Sequence, residues 1–360
     1  YGFADCISEP GSFYYGLPNA SCPIASQVVD PNVGLQVDWS VDIASAGLGI
    51  GYEISNAPLT GDLDDDGIVE IVVQISNTTN REIAVLNGVT GALLQTINFT
   101  NSSSTNHFTG LLADVNNSGC SEIIWRSSTN TMKCYDYCAG SFMWTSVATS
   151  TDMGDQLNIA DLNGDGVPEI FDYMHIWNAQ TGALLGTNLL NASTIAVTDF
   201  QEIIAADVLP DTYCNNCSGL ELIYGHHIFS VDITAGVATF NKEISSELEA
   251  LGLGSSAKSA VSDLNGDNLL DIATTSDDLF FTWDPRTGLL IDSVSVQGLI
   301  PATVGTVNRK SAPPVINDID NDGNMEYLFG TKSLGLGLGI IHLFALDENL
   351  NYLWHIEHIQ

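Results

Sequence analysis

The chain has 360 residues, 44% of them hydrophobic, and its 9 Lys+Arg against 44 Asp+Glu give a formal net charge of −35. That apolar fraction is enough to build a packed core and excludes a disordered chain. So acidic a composition also excludes nucleic acid and anionic membrane surfaces as partners, because both are bound through Lys and Arg that displace counterions.

Residue 1 is Tyr rather than Met and no signal peptide precedes it, so the chain reads as a mature or trimmed product, or a fragment. Within Tyr1–Ser55, the stretch "IASQVVDPNVGLQVDWSVDI" (Ile24–Ile43) alternates as two strands joined by a Gly-containing turn. Asp5 in "FADCISEPGSFYYG" stands where a longer motif begins, without the oxygen-bearing residues that follow it elsewhere. This is a degenerate first unit.

From Asp62 onward the motif is plain. It runs "DLDDDGIVEI" at Asp62, "DVNNSGCSEI" at Asp114, "DLNGDGVPEI" at Asp161, "DLNGDNLLDI" at Asp263 and "DIDNDGNMEY" at Asp318. A damaged copy, "DVLPDTYCNNCSGLELI", begins at Asp207 and carries an insertion with a CxxC. Successive copies start 46 to 56 residues apart, the spacing of a modular β-unit such as a propeller blade. After each loop comes a short β-branched run ("IVEIVVQI", "CSEIIW", "LLDIATT"), then a hairpin such as "IAVLNGVTGALLQTINF" or "FTWDPRTGLLIDSVSV". Each unit therefore reads as strand, acidic loop, strand, strand, tight turn, strand. The best helical stretch, "EISSELEALG" near Glu243, is a short insert.

The expected fold is an all-β, seven-bladed β-propeller of four-stranded antiparallel blades, a single domain over residues 1–360. Residues 1–55 form the blade without a metal loop, followed by units 56–106, 107–154, 155–199, 200–256, 257–311 and 312–360. Six blades plus an N-terminal extension is the alternative. Closing repeats into a ring removes the sheet edges that a solenoid must cap.

Alternate residues of a tight loop converge, so oxygens at positions 1, 3 and 5, with an acid at 9, can enclose a Ca²⁺ ion, which takes six to eight oxygen ligands. A left-handed residue at position 6 turns the chain. The candidate ligand sets are Asp62, Asp64, Asp66 and Glu70; Asp318, Asp320, Asp322 and Glu326; and Asp161, Asn163, Asp165 and Glu169. Asp263, Asn265, Asp267 and Asp271 have Asn268 at the turn, and Asp114, Asn116, Ser118 and Glu122 form the cage with least charge. The Asp62 and Asp318 loops are expected to bind most tightly and the Asp114 loop least. An EF-hand is excluded, because position 12 is Val73, Asp172, Thr274 or Phe329 rather than Glu and the flanks are strands.

This D-x-D/N-x-D-G-x-x-D/E loop, set between strands and repeated per unit, resembles the FG-GAP/VCBS repeats of integrin α-subunit heads and many secreted bacterial proteins. The resemblance covers the loop-bearing units from Asn56 to about His358 and implies a calcium-bearing propeller whose loops are structural. The Phe-Gly…Gly-Ala-Pro signature is reduced to "LFG" at Phe329, so an integrin-like mode of partner binding does not follow.

Seven cysteines pair by proximity as Cys6–Cys22, Cys134–Cys138 and Cys214–Cys217, with Cys120 free; zinc bound by the "CYDYC" and "CNNC" pairs is the rival. Sequons begin at Asn19, Asn77, Asn98, Asn101, Asn116, Asn191 and Asn216. Together these point to a secreted or cell-surface setting. The longest apolar run, "LGLGLGIIHLFAL" from Leu334, is too short and Gly-rich for a membrane span. His107, His175, His226, His227, His342, His355 and His358 show no metalloprotease spacing, and no G-x-S-x-G or Gly-rich phosphate loop occurs. Trp39, Trp125, Trp144, Trp177, Trp283 and Trp354 recur near hairpin strands, where blade packing explains them better than sugar stacking.

The expected function is a non-enzymatic extracellular adhesion, recognition or assembly module with structural calcium. Its partner would be a protein or glycan at an extracellular surface, or further copies of the chain. A carbohydrate-binding propeller or a polysaccharide lyase-like enzyme is the alternative.

Overall fold

The computed structural model describes residues 39–41, 53–54, 58–76, 81–98, 110–128, 130–149, 153, 156–187, 203–214, 217–245, 257–276, 279–299, 306–308, 312–319, 322–335 and 338–359. They form six antiparallel sheets in chain order, four of four strands and two of five. The first holds Glu53–Ile54, Leu59–Gly61, Glu70–Ser76, Arg81–Asn87 and Leu93–Asn98. Next come Leu111–Ala113, Glu122–Ser128, Thr131–Asp136 and Ser141–Thr145, then Asn158–Ala160, Glu169–Phe171, His175–Asn178 and Leu184–Thr187. The fourth is Ile203–Ala206, Glu221–Tyr224, His227–Thr234 and Val237–Ser245; the fifth is Lys258–Ser262, Asp271–Ser276, Leu279–Trp283 and Leu290–Ser295. A single helical turn, Val296–Leu299, leads to the sixth: Thr306–Asn308, Val315–Asn317, Glu326–Gly335, Leu338–Leu346 and Tyr352–Ile359.

The architecture is the expected β-propeller, with the six sheets of the alternative reading rather than seven. Of the segment 1–55, only Trp39–Val41 and Glu53–Ile54 are among the described residues. Glu53–Ile54 pairs with Ile75–Ser76 and so belongs to the first sheet, not to a preceding one. Thr306–Asn308 likewise pairs with Lys332–Leu334 in the sixth sheet, not with the 257–311 unit. In both sheets a long second strand carries two short partners on one side, which a strict repeat of equal units does not foresee. The helical candidate also fails where it is described, since Glu243–Ser245 is the end of a strand.

Packing follows from register. Each second strand starts on the acid that closes its loop: Glu70, Glu122, Glu169, Glu221, Asp271 and Glu326. Strand side chains alternate between faces. The residue after the acid (Ile123, Ile170, Leu222, Ile272, Tyr327) clusters with the preceding sheet. The next one (Val72, Ile124, Phe171, Ile223, Ala273) clusters with the following sheet. Both faces are apolar because each is buried between neighbours. Trp125, Trp177 and Trp283 are fully buried in these seams.

The hairpin turns repeat too. In the first, third and fifth sheets the turn opens on Asn87, Asn178 or Asp284, whose side chain accepts from the hydroxyl of Thr90, Thr181 or Thr287. Gly91, Gly182 and Gly288 then take φ of 69°, 68° and 73°, a region where a Cβ is costly. Among the described residues no helix is long and apolar enough to cross a membrane.

Candidate metal sites

Each acidic loop is a tight backbone knot built by its own side chains. In the first, Asp62 accepts from the N–H groups of Asp66 (3.2 Å) and Gly67 (2.8 Å), and Asp66 accepts from Ile68 (2.7 Å). Asp114, Asp161, Asp263 and Asp318 repeat the first two contacts. Position 6 is left-handed in all five: Gly67, Gly119, Gly166, Asn268 and Gly323 have φ of 84°, 88°, 85°, 64° and 95°. Position 4 is left-handed at Asp65, Asn117, Gly164 and Gly266, a feature the sequence pattern does not announce. Asp and Asn tolerate it because their short side chains bond locally.

The acid at position 9 anchors the knot to the sheet. One oxygen of Glu70, Glu122, Glu169 and Glu326 accepts from the N–H at position 2, at 2.9, 2.8, 3.0 and 2.6 Å. All four are buried. Burial pushes Glu122 and Glu169 up to about 7, against the lowering effect of the Val115 and Leu162 N–H groups; Glu70 is raised for the same reason. A buried carboxylate with acidic neighbours favours either a proton or a cation.

The loops also join neighbouring sheets. The carbonyl at position 2 accepts from the residue just before the next sheet's closing acid: Ser121 N–H to Leu63 (3.0 Å) and Leu220 N–H to Leu162 (2.9 Å). A cation held in such a loop would stiffen the seam as well as the turn.

Among the described residues convergence is strongest in the first loop, where carboxylate oxygens of Asp62, Asp64 and Glu70 lie within 4.8 Å of one another. All-oxygen donors of this kind suit a hard cation such as Ca²⁺. Asp66 is outside that group and spends an oxygen on Ile68. Asp320 lies outside the described residues. In the second loop the Asn116 amide nitrogen donates to Glu122 at 2.7 Å, so a donor rather than an acceptor points at the closing acid. Asn163 and Asn265 each accept from the N–H at position 5, at 3.0 and 2.9 Å.

Two loops differ in kind. Asp271, fully buried, meets the Arg286 guanidinium from its own hairpin turn at 3.0 Å. Burial raises Asp271 to about 6 while Arg286 pulls it down. The sequence reading missed this pair, although Arg286 sits in the turn "DPRTG" that packs beside the loop. Among the described residues the damaged copy forms no acidic cage; there Glu221 accepts from both Val208 and Leu209 at 3.0 Å, and burial pushes it up to about 7.

Cysteines reinforce the atypical loops. Cys214–Cys217 forms as expected, but the other described bridge is Cys120–Cys138, and Cys134 is free and buried. The expected Cys134–Cys138 bridge fails because Cys134 sits mid-strand, paired with Ile124 and Trp144 on the face packed against the third sheet. Cys138, in the turn, faces position 7 of the loop, where Cys120 stands. Alternation in "TMKCYDYC" carries that signal, since Met132 and Cys134 share the buried face. Cys6 and Cys22 lie outside the described residues.

Among the described residues, His175, His226, His227 and His342 are buried and His355 is half-buried. His226 and His227, at the start of a strand, are buried with ring centroids 4.1 Å apart. Another buried pair, which the sequence reading missed, is His175 with Nδ1 3.1 Å from Asp172 Oδ1. His107 lies outside the described residues. Trp144 donates from Nε1 to the Ala179 carbonyl at 3.0 Å, so it is a packing residue.

No family model matches the chain, and no curated relative matches it. Among solved structures, it is similar to the V. cholerae biofilm matrix protein Bap1, with TM-score 0.52 and 12% identity over 84% of this chain and 72% of that one. It is also similar to the quinohemoprotein alcohol dehydrogenase of Comamonas testosteroni, with TM-score 0.46 and 12% identity over 85% of this chain and 61% of that one. At such identity the likeness to Bap1 speaks for the fold, a propeller of repeated four-stranded sheets.

Proposed function

We propose that the chain is a calcium-stiffened propeller of the FG-GAP/VCBS type, working outside the cell as a non-enzymatic adhesion, recognition or assembly module. The observation that carries the calcium part is the convergence of Asp62, Asp64 and Glu70 in a loop whose remaining polar groups tie the strands together. The same knot recurs at Asp114, Asp161, Asp263 and Asp318, so those ligand sets, including Asp320, are assigned to further ions. Calcium would supply positive charge that turns carboxylate repulsion into attraction, and the loops would do no chemistry.

The disulfides, acidic charge and sequons suit an oxidising exterior. A fold shared with a biofilm matrix protein suits an assembly role. The alternative, a sugar-stacking or lyase-like propeller, draws on the tryptophans, but Trp125, Trp177 and Trp283 are consumed in the seams. The test incubates the whole chain with panels of immobilised glycans and matrix proteins, with calcium and with chelator. Retention that falls on chelation, with no new reducing ends or unsaturated sugars, is expected. Product release would overturn the non-enzymatic reading, and calcium-independent binding with an unchanged melting temperature would overturn the calcium reading.

A further inference from the structure

In five of the six sheets the outer strand carries one extra residue shortly after the hairpin turn. The pairing skips Leu94 in the first sheet, Met143 in the second, Leu185 in the third, Ile291 in the fifth and Leu353 in the sixth. A bulge of this kind leaves one residue unpaired and re-aims its side chain. Four of the five are aliphatic, so a plain hydrocarbon meets the structural need. The second sheet instead puts a thioether there.

That sulfur has specific neighbours. Met143 Sδ lies 3.8 Å from Nδ2 of Asn116, at position 3 of the second loop, and 3.8 Å from Cys134 Sγ. Both neighbours are donors, an amide N–H and a thiol S–H, and they meet at a weak acceptor. Met143 is also the accessible methionine. It is 37% exposed, whereas Met132 and Met153 are buried and Met174 and Met325 are half-buried. Those five are all the methionines of the chain. An oxidant must reach the sulfur lone pair, and the product, a sulfoxide, is polar and accepts strongly through its oxygen.

We propose that Met143 is a methionine-oxidation site, and that its sulfoxide is held in the second sheet by accepting from Asn116 and Cys134. The oxidant is hydrogen peroxide. A lone pair on Sδ attacks one peroxide oxygen, the O–O bond breaks and an S–O bond forms. The sulfur gives up two electrons, and the proton of the transferred hydroxyl passes to the departing oxygen, which leaves as water. The consequence reaches the loop. Turned over, the Asn116 amide would set oxygen against Glu122 Oε1, so without a cation its nitrogen faces that acid, at 2.7 Å. A calcium ion needs the amide oxygen there instead. The sulfoxide holds the nitrogen where it is. On the calcium reading above, on which this last step rests, oxidation lowers the affinity of the second loop and leaves the other loops unchanged.

Limited hydrogen peroxide treatment of the whole folded chain, followed by peptide mapping, tests the site. Oxygen gained at Met143 ahead of the other methionines is expected, and earlier gain at Met174 or Met325 would overturn it. NMR of the oxidised, calcium-free chain tests the hydrogen bond. Exchange of the Asn116 side-chain amide protons should slow about fivefold, the weight of one net hydrogen bond, and Met143→Leu treated alike should show no change. An unchanged rate in a chain oxidised at Met143 would overturn the bond. In calorimetric titration, oxidation should weaken one calcium site about fivefold. Equal binding before and after would overturn the coupling to the loop, whereas no calcium uptake by the untreated chain would overturn the calcium reading, with the NMR result unaffected.

Discussion

The first and fourth sheets solve one structural problem by different means. Both must hold a polar loop against the start of a second strand, with a buried glutamate accepting backbone N–H groups. In the first sheet, Asp62 and Asp64 crowd against Glu70, and the junction holds a concentration of negative charge. In the fourth, two N–H groups satisfy one oxygen of Glu221 and a Cys214–Cys217 bridge ties the insertion. The second loop is intermediate, with fewer carboxylates and a Cys120–Cys138 bridge to its hairpin. The fifth supplies a cation of its own in Arg286. Where the cage weakens, another fastener stands, which argues that fastening is what the loops do.

Chelation is the strongest way to break the comparison. Each saturated site adds about 2.7 kcal/mol when free calcium is ~100 times the dissociation constant, so EGTA should lower the calorimetric melting temperature by the sum of several sites. Next in size is the covalent fastener. Cys120→Ser with Cys138→Ser opens a loop of sequence separation 18, and should cost about 3 kcal/mol in denaturant unfolding. That loss should persist in saturating calcium.

Glu221→Ala sharpens the contrast from the other side. It leaves the Val208 and Leu209 N–H groups buried without an acceptor, at about 1–3 kcal/mol. The penalty should be the same with and without calcium, whereas Glu70→Ala should remove part of the calcium response.

Acidity gives the smallest effect, with opposite signs in the two states. Burial holds Glu221 at about 7, above its ordinary 4.5, so the folded chain keeps a proton that the unfolded chain has released. That contribution is present below the ordinary value and lost as pH rises through about 7. Glu122 and Glu169 act alike in the metal-free chain. Metal-free protein should therefore melt higher at about pH 5 than at about pH 7.5. Calcium-loaded protein should instead lose its added stability as pH falls from about 7.5 to about 5, because protons displace the ion.

Much of this was legible in the sequence because loop and strand are local. Alternation after each acid gave the second strands, and positions 1, 5, 6 and 9 formed the knot as their chemistry requires. What escaped was set by neighbours. The Cys120–Cys138 pairing depends on which face Cys134 takes, and proximity along the chain misled. The Asp271–Arg286 pair joins a loop to a hairpin 15 residues on, and Asp172–His175 is hidden in a turn. Glu53–Ile54 and Thr306–Asn308 join sheets that equal spacing assigns elsewhere, since register rather than period decides pairing.

Amide exchange compares the two fasteners within one molecule. With calcium present, Glu70–Ser76 and Glu221–Tyr224 should both be protected. After EGTA at neutral pH, exchange in Glu70–Ser76 should accelerate by about a factor of 100, the equivalent of one saturated site, while Glu221–Tyr224 changes far less. Equal protection in both strands with and without calcium would contradict the account.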